Sequence, residues 1–318
     1  MIQPQVSIIC LCFNHHNFLN EALESVLTQT YTRLQVIIVD DASTDGSQEL
    51  IKRISENYPA VQILLLTQNV GNCKAFNLGL RLATGDFIID FSTDDVMMPG
   101  RIEKQVEFFK TQEDRVGVVF TDATYIDANG EGFRNHYDHL LHKKLIDRIP
   151  TGDVFRDVLT RYFICSPSMM VRTKVMEDLG GYDETLSYED FDFWVRASRK
   201  YHFAFLKDRL TKVRRIVNSM SSGWYVPGDK QLHSTFLVCE KAVNLCRDKD
   251  DRDALKWRVL YEFKQSVFSR NDVEAGLFAK LLRSLGEIPY SFYLIQVAAI
   301  LPFPWAWLRR TYHQFVYG

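Results

Sequence analysis

The chain of 318 residues has little excess charge and few cysteines, and both features exclude some classes of protein. Its formal net charge is -2, so it lacks the basic field that nucleic-acid binding usually needs. The six cysteines form no CxxC pair and mostly lie in apolar runs, which is typical of buried thiols in a reducing compartment. Because a strand is predicted from residue 6, we expect a cytoplasmic protein without a signal peptide, and no nucleic-acid partner.

The sequence also lacks the common glycine-rich phosphate loops. No GxGxxG follows the first apolar run and no GxxxxGK[ST] is present, which disfavours dinucleotide dehydrogenases and P-loop enzymes. No Ser-His-Asp or Cys-His signature of a covalent nucleophile is visible either. A phosphate-bearing ligand would therefore have to be held in another way.

Short apolar runs alternate with helical patterns in the first 120 residues. This order predicts βαβ units, hence an α/β fold with a mostly parallel sheet flanked by helices. Asp45 with Gln48 resembles a helix N-cap signature, a helix is predicted over 72–83, and Pro99 is predicted in the first turn of the next. Strands are predicted at 6–12, 34–39, 61–66, 87–91 and 116–120.

Polar side chains follow three of these strands. Asn14, Asp40-Asp41 and Asp94-Asp95 each stand at a predicted carboxyl end, where ligands of parallel sheets bind. Each pair alone is more often a solvated turn or a helix cap. Together, four carboxylates in one crevice suit a hard divalent cation, Mg²⁺ or Mn²⁺, that bridges to a diphosphate.

Beyond residue 121 the alternation ends. Residues 125–162 are predicted to form a long loop, 163–171 an extended segment, and the chain from Gly228 onward a helical extension. A domain boundary near Ser222-Gly223 gives domains of 1–222 and 223–318. The histidines at 15, 16, 136, 139 and 142 are interpreted as solvated loop residues, not as zinc ligands.

Five segments, in this order and spacing, resemble glycosyltransferase family 2, the inverting enzymes of GT-A fold. They are VSIICLCFNHHNFLNEALESVLTQTY, VIIVDDASTDGS, NVGNCKAFNLGLRLATGDFI, STDDVMMPGRI and YEDFDFWVR. The resemblance covers about residues 4 to 222 and is closest to the type that builds bacterial surface polysaccharides. It implies a GT-A domain followed by the helical extension.

The resemblance also implies roles for single residues. Phe13 would pack on the nucleotide base beside Asn14, and Asp41 would recognise the base edge, typically uracil. Lys74 would lie near the nucleotide. Asp95 would be the direct ligand of Mn²⁺ or Mg²⁺ in the metal motif. Asp94 would belong to the same motif and contact ribose or sugar hydroxyls.

Catalysis is implied at the Glu189-Asp190 pair. Asp190 matches the family's base, which takes the proton of an acceptor hydroxyl during attack. A helix N-terminus also favours acidic residues for electrostatic reasons alone, and without the resemblance that alternative would prevail. One position departs from the family's YRxHxxSMS segment: Ile216 replaces the histidine, while Arg214 and Arg215 remain as candidate phosphate ligands.

The segment 288–308 contains no charge and precedes Arg309-Arg310. An interfacial membrane anchor, a buried docking helix and a true membrane span all remain open, in that order of preference, because Pro302 and Pro304 interrupt the segment. Peripheral contact at the inner face of the membrane would suit a lipid-linked glycan acceptor.

The predicted activity is metal-dependent, inverting transfer of a sugar from a nucleoside diphosphate sugar, UDP-linked by preference, to an acceptor hydroxyl. The expected partners are this donor and a glycan or lipid-linked glycan acceptor. A sugar-nucleotide-binding protein without catalysis is the first alternative, and a nucleotidyltransferase is the second.

Overall fold

A single mixed sheet of nine strands forms the centre of the computed structural model, which describes residues 3–216 and 225–300. Its order is β3-β2-β1-β4-β8-β6-β9-β5, with β7 paired to β6. The strands are β1 Val6–Cys12, β2 Leu34–Asp40, β3 Gln62–Leu65, β4 Phe87–Ser92, β5 Val96–Met97, β6 Val116–Ile126, β7 Gly132–Asn135, β8 Met170–Arg172 and β9 His202–Arg214.

Helices cover both faces of this sheet and continue beyond it. Their bounds are α1 His16–Leu27, α2 Ser47–Asn57, α3 Asn72–Leu80, α4 Arg101–Lys110, α5 His136–His142, α6 Phe155–Thr160, α7 Thr173–Leu179, α8 Asp190–Ser198, α9 Lys230–Leu245, α10 Lys249–Phe268, α11 Asp272–Ser284 and α12 Tyr290–Ile300. Among the described residues, none of these helices has the length and apolar character needed to cross a membrane.

The predicted α/β architecture is confirmed, with one addition. Strands β3, β2, β1 and β4 are parallel neighbours, as the alternation predicted. Strand β8 then lies antiparallel between β4 and β6, and β6 pairs in parallel with the long β9. These later strands give the sheet its mixed character.

The alternation of side chains in β1 explains why the sheet is buried on both faces. Ile8 and Cys10 pack into one apolar layer with α1 and α4, whereas Ile9 and Leu11 pack into the other with α3. Gly79 lets α3 approach closely, since a Cβ at this position would lie 2.6 Å from a methyl carbon of Ile9.

Several local predictions need correction. Residues 125–162 are not one loop, because β6 extends to Ile126 and β7, α5 and α6 follow. Within 163–171, only the last two residues belong to a strand, β8, and 166–168 form a 3₁₀ turn. Pro99 precedes α4 without lying in its first turn, because the helix begins at Arg101.

The predicted cap of α2 is also different. Gly46, with φ of 92°, precedes the helix, and Asp45 accepts hydrogen bonds from the backbone of His16 and of Ser47. Gln48 donates to the Asp40 carboxylate at 2.7 Å. These side chains therefore join the ends of β1 and β2 and do not form a capping box.

The C-terminal helices share the larger apolar core with the sheet. Helix α9 packs on α8, and α10 packs on α6. At this junction Arg199 donates to Asp251 at 2.6 Å, and its guanidinium lies 3.6 Å from the ring centroid of Phe155. The boundary predicted near Ser222-Gly223 lies outside the described residues.

Candidate active site

The carboxyl ends of β1, β2 and β4 meet at one edge of the sheet. Cys12 pairs with Asp40, and Leu11 pairs with Ser92, so the three strands end at the same level. The loops that carry Asn14, Asp41 and Asp94-Asp95 therefore surround one crevice, as the strand order predicted.

The first two strand ends are joined by side-chain hydrogen bonds. Asn14 has φ of 58°, and its Oδ1 accepts from the backbone N–H of Thr44 at 2.9 Å. The buried carboxylate of Asp41 accepts from the backbone N–H groups of Val70 and Gly71, at 2.7 and 2.9 Å. Asp41 thus fixes the loop that leads into α3.

Two other residues predicted near the nucleotide have exposed side chains. Phe13 follows β1 directly and is 45% exposed, which is unusual for so large an apolar ring. Lys74 lies in α3 and is also exposed. Both side chains are therefore accessible to a ligand.

Asp94 and Asp95 have different environments. Asp95 is only 2% exposed, and its carboxylate accepts from the backbone N–H of Arg214 at 2.8 Å. Burial, followed by the charge of Asp94, raises the pKa of Asp95 well above its usual range. Asp94 is half-buried and accepts from the Ser92 hydroxyl at 2.5 Å, so it is the carboxylate more accessible to a ligand.

This donor set fits a hard divalent cation. The charge of Asp94 contributes to the raised pKa of Asp95, and a cation bound to the oxygens of both carboxylates would relieve this repulsion. Within residues 3–216 and 225–300, no group of three or more His, Cys, Asp or Glu side chains is arranged to hold a metal. A Mg²⁺ or Mn²⁺ ion on one or two carboxylates takes its other ligands from substrate phosphates and water.

Arg214 serves the architecture of the metal-motif loop. Its guanidinium donates to the carbonyl oxygens of Asp94 and Asp127 at 2.9 Å, and to the Glu21 carboxylate at 2.6 Å. The side chain is buried, so we exclude it as a phosphate ligand. Arg215 is left as the candidate from this pair, and half-buried Ile216 follows it.

Glu189 and Asp190 lie at the start of α8, which faces the same crevice. Asn72 of α3 donates to Glu189 at 2.5 Å, and the Ser166 hydroxyl donates to Asp190. Burial and the charge of Asp190 raise the pKa of Glu189 well above its usual range. Burial also raises the pKa of Asp190, and the interactions with Ser166 and Glu189 partly offset this increase. The interaction between the two carboxyl groups raises the pKa of Glu189 and lowers that of Asp190, so a shared proton is favoured on Glu189.

A third carboxylate, Asp90, belongs to this cluster and was not predicted. It lies in β4, accepts from the Tyr182 hydroxyl at 3.1 Å, and is close enough to Glu189 and Asp190 for their charges to interact. Burial, reinforced by Asp190, raises its pKa to about 7. The signal in the sequence was a single acid inside the buried run 87–91.

The histidine prediction is wrong for His136. This side chain is 8% exposed and lies between the Tyr125 hydroxyl, at 2.7 Å, and the carbonyl oxygen of Phe163, at 2.8 Å. Burial lowers its pKa to about 4, so the imidazole is neutral. His15 contacts the Thr93 hydroxyl at 3.0 Å at the rim of the crevice.

Comparisons with known proteins agree with this geometry. The family model "Glycosyl transferase family 2" matches residues 7–180, more than half of the chain. An uncharacterized glycosyltransferase of Methanocaldococcus jannaschii is 27% identical over 217 residues, 67% of this chain and 72% of its own length. The Bacillus subtilis protein EpsE, which carries a glycosyltransferase name, is 29% identical over 219 residues, 66% of this chain and 73% of its own.

Other relatives are longer than this chain. A Rickettsia bellii glycosyltransferase is 29% identical over 66% of this chain, but the match spans only 30% of the relative.

Solved structures show the same fold. S. aureus TarS 1-349 in complex with UDP-GlcNAc superposes with a TM-score of 0.64 at 20% identity, over 84% of this chain and 74% of TarS. The mannosyltransferase PcManGT of Pyrobaculum calidifontis, in complex with GDP-Man and Mn²⁺, superposes with a TM-score of 0.64 at 18% identity, over 99% of this chain and 84% of its own. With its GT-A fold and its match to the family model, the chain belongs to glycosyl transferase family 2 and is a glycosyltransferase.

Proposed function

We propose that this glycosyltransferase moves a sugar from a nucleoside diphosphate sugar, UDP-linked by preference, to an acceptor hydroxyl, with inversion at the anomeric carbon and with a divalent metal. The observation that carries the proposal is the pairing of two acidic sites across one crevice. Asp94-Asp95 lies at the sheet edge, and Glu189-Asp190 lies at the start of α8. Asp41 at the sheet edge accepts from the Gly71 N–H, and the next residue, Asn72, donates to Glu189, so the start of α3 links the sheet edge to the start of α8.

Asp190 is the proposed general base. A hydroxyl is a poor nucleophile near neutral pH, and a carboxylate must take its proton as the new bond forms. The Ser166 hydroxyl donates to Asp190, which orients the carboxylate and favours its ionised form. The attacking oxygen displaces the nucleotide in one step, so the configuration inverts and no residue becomes covalently bound.

Asp94 and Asp95 are the proposed metal ligands. The resemblance implies Asp95 as the direct ligand. Because Asp94 offers the more accessible carboxylate, we propose that Asp94 also contacts the metal directly, with Asp95 contributing from its buried position. When bound, Mn²⁺ or Mg²⁺ would act as a Lewis acid for the charge that develops on the leaving diphosphate. The Mn²⁺ in the PcManGT complex supports this assignment by analogy.

The nucleotide is proposed to lie between Phe13 and Asp41. The exposed ring of Phe13 can stack on the base, and the carboxylate of Asp41 can accept a base N–H besides its two backbone donors. The structural relatives include a complex with UDP-GlcNAc and another with GDP-Man. We propose uracil because its N3–H is a donor that a carboxylate can accept.

The acceptor is proposed to be a glycan or a lipid-linked glycan, handled at a membrane surface. Helix α12 is anchored by buried Phe292, whose ring centroid lies 4.7 Å from that of Phe263. Its opposite face is exposed and apolar, and four residues at helical spacing form it: Tyr290, Tyr293, Leu294 and Val297, which are 49–76% exposed. Tyrosine beside leucine and valine suits the interface of a bilayer.

A nucleotide panel tests the proposed donor. We would measure the melting temperature with UDP, GDP and dTDP, each with Mn²⁺ and with EDTA. Stabilisation by UDP with Mn²⁺, lost in EDTA and in Asp94→Asn, supports the proposal. Stabilisation without turnover of any UDP-sugar would favour a binding protein that has lost catalysis.

A further inference from the structure

Tyr125 and His136 form a buried relay beside the crevice. The Phe163 carbonyl can only accept, so His136 Nε2 donates to it and Nδ1 accepts from the Tyr125 hydroxyl. Both side chains are less than a tenth exposed. The Tyr125 oxygen, having donated its hydrogen, can still accept, and the guanidinium of Arg215 lies beside the Tyr125 ring.

Arg215 is fixed at the other end of this relay. Its guanidinium carbon lies 4.6 Å from the centroid of the Tyr125 ring, and its backbone N–H donates to the Ile126 carbonyl at 2.9 Å. A planar cation held on an aromatic face, with its backbone fixed by a hydrogen bond, loses little further conformational freedom when it binds an anion.

Neighbouring contacts locate Arg215 between the two acidic sites. Arg214, the preceding residue, donates its backbone N–H to Asp95. Tyr125 packs against Cys165, and the next residue, Ser166, donates to Asp190. These contacts place Arg215 beside both the proposed metal pair and the proposed base.

Other cations near Asp95 are placed differently. Arg101 is fully buried and donates to Gln105 and to the Met169 carbonyl, so its charge reaches Asp95 from inside the protein. Arg214 is committed to the loop at 127–128 and to Glu21.

We infer that Arg215 contacts the diphosphate of the donor and neutralises the charge on the departing nucleotide, and that Tyr125 and His136 are the residues that position it. The inference rests on the proposed function, because it concerns the same donor site. A guanidinium binds phosphate oxygens through two parallel N–H donors, a geometry that an ammonium group does not reproduce.

The test compares the affinities of UDP and of uridine, measured by calorimetry with Mn²⁺. Arg215→Gln should weaken UDP binding roughly 10- to 100-fold, the usual loss for a hydrogen bond to a charged group, and leave uridine unchanged. The UDP affinity of Arg215→Lys should lie between those of the wild type and Arg215→Gln. Tyr125→Phe keeps the ring but removes the hydroxyl, and it should weaken UDP binding by several-fold only.

Arg134→Gln is the matched control. Arg134 lies over the same Tyr125 ring, at 5.1 Å, but it belongs to β7 and not to the end of β9, where Arg214 donates to Asp95. It changes the net charge equally and should leave UDP affinity within about twofold. Equal weakening by Arg134→Gln, or loss of uridine binding in Arg215→Gln, would overturn the inference. If the wild type bound UDP no more tightly than uridine, both this inference and the proposed donor would fail. If Arg215→Gln bound UDP with wild-type affinity, only the inference would be overturned.

Discussion

The backbone N–H of Arg214 donates to the Asp95 carboxylate at 2.8 Å, which ties the end of β9 to the turn after β4. The proposed metal motif is therefore held by a residue more than a hundred positions later in the chain. The arginine side chain completes the tie through the carbonyl oxygen of Asp94. The two carboxylates are consequently presented by a rigid loop, although their sequence, STDDVMM, resembles an ordinary turn.

Metal binding should distinguish Asp94 from Asp95. Asp94→Asn should remove most of the Mn²⁺-dependent stabilisation by UDP while the melting temperature of the apoprotein changes little, because Asp94 is half-buried and its amide analogue fits. Asp95→Asn keeps an oxygen that can accept from Arg214, and removing the repelled buried charge should raise the apoprotein's melting temperature. Thermal shifts with and without Mn²⁺ check both. Unchanged metal dependence in Asp94→Asn would contradict its assignment.

Asp90 should make stability fall as the pH rises. Its pKa is raised from 3.8 to about 7 in the folded protein, so the folded state binds more protons between these values and loses stability as the pH rises through them. Asp90→Asn removes this contribution and should flatten the decline. The measurement is the melting temperature from pH 4.5 to 8, which should fall by a few degrees for a loss of about 1 kcal/mol in the free energy of unfolding.

The control for that experiment is Tyr182→Phe, which removes the hydrogen bond to Asp90 but keeps the ring that stacks on Phe76 at 4.2 Å. It should steepen the decline, because the hydroxyl favours the ionised form of Asp90. Parallel pH profiles for the wild type and Asp90→Asn would contradict the account of this cluster.

The junction with the C-terminal helices should depend on Arg199. This side chain is 8% exposed and pairs with Asp251, which is 2% exposed. Arg199→Met leaves a buried carboxylate with one fewer partner and should cost about 2–4 kcal/mol in the free energy of unfolding. The exposed pair of Lys104 and Asp208 is the control, and Lys104→Met should cost less than about 1 kcal/mol. Chemical denaturation measures both; equal costs would contradict the importance of the buried pair.

Membrane contact through α12 should depend on its exposed face. Leu294→Ser combined with Val297→Ser should reduce sedimentation with vesicles containing anionic phospholipid, because about 1.5–3 kcal/mol is lost per buried aliphatic side chain. Val273→Ser removes a residue that is 71% exposed on α11, off this face, and should not change binding. If the control reduced binding as much as the double variant, α12 would not be the contact.

The sequence allowed the first half of the fold to be predicted because its strands and helices are set by local periodicity. Five apolar runs and the polar residues that follow them were enough to predict that Asn14, Asp41 and Asp94 meet at one sheet edge. Strand β8 was not predictable in the same way. It is short, and its place between β4 and β6 depends on tertiary pairing.

The missed site residues share a physical cause. Asp90 was obscured by the apolar run around it, and His136 by the polar segment in which it lies. The environment of each is set by residues distant in sequence, Tyr182 for Asp90 and Phe163 for His136. Their burial, and thus their altered pKa, arises only when β4, α5 and the segment before α8 pack together.

The role of Asp190 as the base of a metal-dependent sugar transfer can be tested by measuring the release of UDP from a panel of UDP-hexoses and UDP-N-acetylhexosamines. With Mn²⁺, the wild type should turn over at least one donor, and Asp190→Asn should be slower by roughly 10²- to 10⁴-fold at unchanged UDP affinity. Wild-type turnover in Asp190→Asn would contradict the account.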